Sequence, residues 1–206
     1  MRVTGGELKG RQLLPGFANH VRPSTDRVRE SLFNSLQNQI DLSDTKVLDL
    51  FSGSGIIALE FLSRYTASVT SVDLDKKNIT YQKNIRQEWR IPHEKLSLKS
   101  KINADESNLT PTSSSIAVGN WEIIMADIWK YIPKVTDTYD VIFADPPYHM
   151  PNVQQLPSLL IPLLNPQNPD AVLLFEHKPQ LQFPSTTIPQ SVKDYGSSII
   201  SFFRPA

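Results

Sequence analysis

The chain has 206 residues, 39% hydrophobic and 20% charged, a composition that suits one domain with a substantial core. It contains no cysteine, which excludes disulfides, thiol catalysis and Cys-ligated zinc or iron–sulfur centres, and His20, His93, His149 and His177 form no metal-ligand spacing. The net charge of zero hides a gradient: residues 1–101 carry sixteen Lys and Arg against eleven Asp and Glu, and the remainder carries five against ten. A basic front half is compatible with a face for phosphates, though a solvated asymmetry of this size is also common. With no run of eighteen apolar residues and a polar opening, "MRVTGGELKG", the expectation is a soluble cytoplasmic protein with no membrane segment.

In chain order, "RVTGGELKGRQLLP" suggests a hairpin within an N-terminal extension over residues 1–21. "RPSTDRVRESLFNSL" then opens a helix capped by Ser24 or Thr25, with Val28, Leu32, Phe33 and Leu36 at helical spacing. "TKVLDLF", "SVTSVDLD", "WEIIMAD", "YDVIFADPP" and "AVLLFEH" are short apolar runs that read as buried strands. "SGIIALEFLSRY" and "KKNITYQKNIRQEW" lie after the first and second of these and read as helices. Alternation of this kind predicts a single α/β domain over residues 1–206, with a doubly wound, mostly parallel sheet and helices on both faces. Residues 103–120, rich in Ser, Thr and Asn, read as a surface loop inserted in that domain. Residues 154–164 are helical by their leucines but broken by Pro157 and Pro162, so a short or kinked helix is expected there.

Ligands in such sheets sit beyond the carboxyl ends of the strands, and Asp49, Asp73, Asp127 and Asp145 all fall at such ends. A single acid there is most often a turn or cap residue; four on one rim call for more. In "VLDLFSGSGIIA", Gly53 and Gly55 let the chain turn tightly from strand to helix around Ser52 and approach a ligand closely. As G-x-G-x-x-A the segment also fits a dinucleotide fingerprint, with Asp73 placed to reach a ribose hydroxyl. Against a nicotinamide cofactor stands Asp49, which sets a negative charge where a pyrophosphate needs donors. S-adenosyl-L-methionine suits the turn better, because its ammonium and sulfonium are cationic. Asp127 could accept from an adenine amino group, or simply cap the next element.

"DPPY" closes the fourth strand. Pro146 and Pro147 stiffen the exit, so the Asp145 carboxylate and the Pro146 carbonyl stand as fixed acceptors. An exocyclic amino group on a base is a poor nucleophile until such acceptors hold its protons and turn its lone pair outward. Tyr148 offers a flat face for the base, taken out of its stack.

These segments, together with "RVTGGELKGRQL" and "RPSTDRVRES", resemble the class I S-adenosylmethionine-dependent methyltransferases. More narrowly, they are similar to the bacterial 16S rRNA guanine-N2 methyltransferases of the small ribosomal subunit. The resemblance implies a Rossmann-like sheet of about seven strands whose last, in "GSSIISFF", is antiparallel, and a basic N-terminal β-hairpin that meets RNA. It implies that Asp49, Ser52, Gly53 and Gly55 hold the methionine end of the cofactor, Asp73 its ribose and Asp127 its adenine. Asp145, Pro146, Pro147 and Tyr148 would hold the guanine. Arg2, Lys9, Arg11, Arg22, Arg27 and Arg29 would meet phosphates, with Thr25 and Arg29 close to the cofactor as well. The substrate expected is 16S rRNA within a partly assembled small subunit, with no metal. The residues alone leave three alternatives open: a DNA adenine-N6 methyltransferase with the same site, a non-catalytic RNA-binding assembly factor, and a nicotinamide-dependent oxidoreductase.

Overall fold

The structure is a computed structural model and describes residues 1–18, 25–93, 117–196 and 199–205. Its centre is one seven-stranded sheet in the order β3-β2-β1-β4-β5-β7-β6. The strands are β1 (Lys46–Leu50), β2 (Ser68–Asp73), β3 (Asn120–Met125), β4 (Val141–Ala144), β5 (Val172–His177), β6 (Ser191–Asp194) and β7 (Ile199–Phe203). β1 to β5 are parallel, β7 runs antiparallel to β5, and β6 runs antiparallel to β7. The helices are α1 (Asp26–Gln37), α2 (Ile56–Leu62), α3 (Lys76–Glu88), α4 (Ile128–Tyr131) and α5 (Leu156–Leu160).

Strand parity decides what packs where. Val47, Val69, Trp121, Phe143, Leu174 and Phe202 point to one face, covered by α1, α2, α3 and the N-terminal arm. Leu48, Leu50, Ile142, Ala144, Leu173 and Phe203 point to the other, covered by α4 and α5. Because side chains alternate along a strand, Asp49 and Asp73, and Asp145 just past β4, share the first face. The strand order reverses between β1 and β4, so the crevice of the fold opens beyond their carboxyl ends.

Local chemistry fixes the helix ends. Thr25 caps α1, its Oγ1 accepting from the Val28 N–H, and Asp75 caps α3 by accepting from Lys77 N–H. Pro157 lies in the first turn of α5, and Pro162 in the first positions of the 3₁₀ turn Ile161–Leu163. A missing N–H costs nothing at those positions, so the expected broken helix is realised as a short helix between two 3₁₀ turns.

The expected N-terminal hairpin is one antiparallel bridge wide, at Arg2 and Gln12, and its Val3, Leu8 and Leu13 are buried. It is tied down by a buried charge network. Glu60 on α2 accepts from Thr4 N and Thr4 Oγ1, both at 2.9 Å, from Arg29 Nε at 3.2 Å and from Arg64 Nη1 at 2.6 Å. The antiparallel end of the sheet holds two strands, β7 and the exposed edge strand β6, of which only β7 has an apolar run. Of the polar loop expected at 103–120, residues 103–116 lie outside the described residues, as does Arg22.

Candidate active site

The chain leaves β1 through three left-handed residues: Phe51 at φ 60°, Gly53 at φ 51° and Gly55 at φ 76°. Glycine takes that conformation freely, whereas at Phe51 it costs roughly 1–2 kcal/mol. A Cβ on Gly55 would also stand 2.8 Å from the Trp121 ring and 2.9 Å from Gln82 Cγ, so position 55 requires glycine on two grounds. Gln82 locks the turn from α3, donating to Ser52 Oγ at 2.9 Å and to the Gly53 carbonyl at 2.8 Å. Neither Gln82 nor the buried Asn78 was singled out by sequence reasoning. Their signal was two amides four residues apart on the apolar face of a helix.

Asp73 closes β2 and serves the same turn. Its Oδ2 accepts from Gly53 N–H at 2.7 Å, its Oδ1 from Asp75 N–H at 2.7 Å, and Asn78 Nδ2 lies 3.3 Å from both oxygens. A ribose hydroxyl at Asp73 would therefore replace one of these donors. Asp127, half-buried, caps α4 by accepting from Trp129 N–H at 2.9 Å. Asp49 is different. It is 1% exposed, and its Oδ2 has no hydrogen-bond partner. Burial pushes its carboxyl well above the ordinary range and the neighbouring Asp73 pushes it further; hydrogen bonds from Ala58 N–H and the Ser71 hydroxyl pull the other way without offsetting this.

Beyond β4, Asp145 is half-buried, Pro146 buried, Pro147 exposed and Tyr148 44% exposed. Burial also raises the Asp145 carboxyl well above its ordinary value, with Glu176 and then Asp49 adding to the shift. Glu176 is a member of the site that sequence reasoning passed over. Ala144 pairs with Phe175, so Asp145 and Glu176 follow side by side on the same face. An acid one place from the end of an apolar strand was the signal available in "AVLLFEH".

The basic residues divide. Arg2, Lys9 and Arg27 are exposed, Arg2 pairing with Asp26 at 3.2 Å, and Arg11 is half-buried with its guanidinium 5.3 Å over the Trp89 ring. The side chain of Arg29 is fully buried, its guanidinium on Glu60 and on Asp26. That position puts Arg29 inside the helix packing, out of reach of an RNA backbone, and gives it a part in holding the arm. Thr25, at the head of α1, stands next to Asp26, which accepts from Arg2 N–H at 3.4 Å, and the adjoining Met1 places its sulfur 3.9 Å from Ser54 Oγ in the glycine turn.

Carboxylates gathered at the switch point, one of them buried with a vacant acceptor, suit a cation and repel a pyrophosphate. Strand-end acids around a glycine turn beside a D-P-P-Y exit are what the resemblance to the S-adenosylmethionine-dependent methyltransferases of Rossmann-like fold leads one to expect, and this is the class of the protein. A family model described as Conserved hypothetical protein 95 matches residues 1–127. Ribosomal RNA small subunit methyltransferase D of Buchnera aphidicola is 31% identical over 160 residues, spanning 77% of this chain and 68% of that one. The solved structure of yhhF from Escherichia coli superposes with a TM-score of 0.72 at 25% identity, covering 100% of this chain and 98% of that chain. SMU.776, solved in complex with SAH, shares the fold at a TM-score of 0.56 and 15% identity, over 84% of this chain and 48% of that one. The chain belongs to the conserved hypothetical protein 95 family, the family of ribosomal RNA small subunit methyltransferase D.

Proposed function

We propose that this protein uses S-adenosyl-L-methionine to methylate the exocyclic N2 amino group of a guanine in 16S rRNA, acting in the cytoplasm on a partly assembled small subunit. The observation that carries this reading is the pairing of a buried, unpartnered Asp49 oxygen with fixed acceptors at Asp145 and Pro146 across the β1–β4 switch point. Family membership supports rRNA as the substrate class.

Asp49 and the turn Ser52 to Gly55 would hold the cationic methionine end of the cofactor, Asp73 its ribose and Asp127 its adenine. When bound, the cofactor supplies a methyl group on a sulfonium, ready for direct displacement. Everything else falls to the chain. Asp145 and the Pro146 carbonyl accept the two protons of the amino group and free its lone pair, with charge-assisted bonds roughly twice as strong as neutral ones. Tyr148 stacks the base, an interaction worth about 1–3 kcal/mol. As the N–C bond forms, the nitrogen becomes cationic and gives up a proton. Asp145 is placed to take it, since burial and Glu176 raise its proton affinity. Alignment supplies most of the rate, up to about 7–11 kcal/mol in well-oriented cases. Arg2, Lys9, Arg11 and Arg27, together with Arg22, would meet phosphates.

The test is tritium transfer from labelled S-adenosylmethionine to naked 16S rRNA, to small subunits lacking modification and to unmethylated duplex DNA, followed by nucleoside analysis. N2-methylguanosine from the subunits is the expected product. N6-methyladenine from DNA would replace the reading, and cofactor binding without transfer to any of the three would favour a non-catalytic RNA-binding protein.

A further inference from the structure

Three features of the end of β5 remain outside the mechanism above. Glu176 stands beside Asp145 on the sheet face that carries Asp49 and Asp73. Two residues on, and therefore directed to the same face, Lys178 is exposed and holds its Nζ 5.0 Å from the centroid of the Tyr148 ring. Between them His177 points the other way and is fixed there, Nε2 bonded to the Ser201 hydroxyl at 2.8 Å and Nδ1 donating to the Lys178 carbonyl at 2.8 Å. His177 therefore anchors the phase of the strand end and keeps Glu176 and Lys178 on the side of the D-P-P-Y turn.

An acceptor at Asp145, an acceptor at Glu176 and a donor at Lys178 complement the Watson–Crick edge of guanine, which presents N2–H₂, N1–H and O6 in that order. Adenine has no such edge. With its amino group on Asp145, its bare N1 would meet Glu176, an acceptor facing an acceptor. We propose that Glu176 and Lys178 determine base specificity, Glu176 by accepting from guanine N1–H and Lys178 by donating to O6, while Asp145 holds the N2 amino group. This rests on the guanine reading above and deepens it. A base laid against Tyr148 displaces the ammonium from the ring face toward its own edge, which is where O6 lies. The cation–π contact thus stores Lys178 beside the place where it is used.

The experiment compares guanine with 2-aminopurine, ligated into the target position of unmodified 16S rRNA reconstituted into small subunits. 2-Aminopurine keeps the N2 amino group but lacks N1–H and O6. Wild type, Glu176→Gln and Lys178→Met are compared by kcat/KM, with cofactor affinity measured calorimetrically. Removing one charged hydrogen bond predicts roughly a 10- to 100-fold loss of kcat/KM on guanine in each variant, with cofactor affinity within about twofold of wild type. On 2-aminopurine wild type falls by about 100-fold or more, since a site built for hydrogen bonds rejects an analogue lacking them, and the variants lose little further. The Glu176→Gln amide can donate to the bare N1 and narrows the gap most. Equal losses on both bases would reduce these residues to structural parts and overturn the inference, as would wild-type kinetics in both variants. Should Glu176→Gln not fold, the exposed Lys178→Met decides alone. Failure of the guanine reading shows separately, as absence of N2-methylguanosine from wild type.

Discussion

Asp49→Asn separates what the buried carboxylate does for function from what it does to the fold. The Asp49 carboxyl is 1% exposed, one oxygen lacks a partner, and its proton affinity is raised, first by burial and then by Asp73. A carboxyl whose folded value lies above its unfolded one favours the fold below the unfolded value. That contribution is lost as pH rises through the folded value, so at neutral pH Asp49 burdens the cofactor-free protein. Asparagine keeps a polar group at this place but removes the buried charge and its repulsion by Asp73, a relief of about 1–3 kcal/mol. For a chain of this size, that is an expected rise in Tm of roughly 2–12 °C. Scanning calorimetry of the cofactor-free variant from pH 5 to 8 should show the rise growing with pH. Titration with S-adenosylmethionine should show affinity falling by at least about tenfold, because the ion pair is gone. A variant that melts lower than wild type at pH 8, or binds the cofactor as well as wild type, would refute the assignment of Asp49 as the cation site.

Asp145→Ala should keep cofactor affinity within about twofold while turnover drops by at least 100-fold, as one lost oriented acceptor implies; full turnover in single-turnover assays would remove Asp145 from the mechanism. Tyr148→Phe should keep most of kcat/KM, whereas Tyr148→Ala should lose about 5- to 150-fold, the range of one base stack. Comparable activity of the two variants would show that the ring face plays no part. Glu60→Ala removes the fully buried acid that pairs with Arg29 and Arg64, leaving Arg29 its pair with Asp26, and releases Thr4, so urea denaturation should read a loss of about 3–5 kcal/mol, and RNA affinity should fall through the loosened arm. Loss of stability below 1 kcal/mol would mean that the network does not hold the arm.

The parallel half of the sheet was legible because its strands are buried on both faces and read as unbroken apolar runs. β6 was not, since an exposed edge strand such as "SVKD" needs no apolar face and takes its pairing from β7. The glycine turn and its neighbouring acids were legible too, because Gly53 and Gly55 mark backbone that other residues resist. The role of Arg29 was hidden. A basic residue on a helix reads as solvated unless its partner is known, and Glu60 lies thirty-one residues away on another helix. Glu176 was hidden for a related reason: its importance comes from strand pairing, which sets β5 beside β4 across twenty-seven residues between Ala144 and Val172.

That hidden pairing also bears on how one carboxylate can both accept hydrogen bonds and receive a proton. Without a cation, Asp145 has its proton affinity raised by burial, by Glu176 and by Asp49, and in that state it is a weaker acceptor than an ionised group. A positive charge at Asp49 offsets the smallest of these three contributions and moves Asp145 toward its ionised form, where an amino group must be held. Once the methyl group has moved, the sulfonium charge is gone, the ammonium at Asp49 stays, and the new positive charge lies on the base nitrogen beside Asp145. That nitrogen is now acidic, and burial with Glu176 beside it suits Asp145 to take the proton. On this account the acids at the switch point form one electrostatic unit. Asp49 keeps the ammonium through the turnover, while burial and Glu176 set the proton affinity with which Asp145 first holds and then deprotonates the amino group.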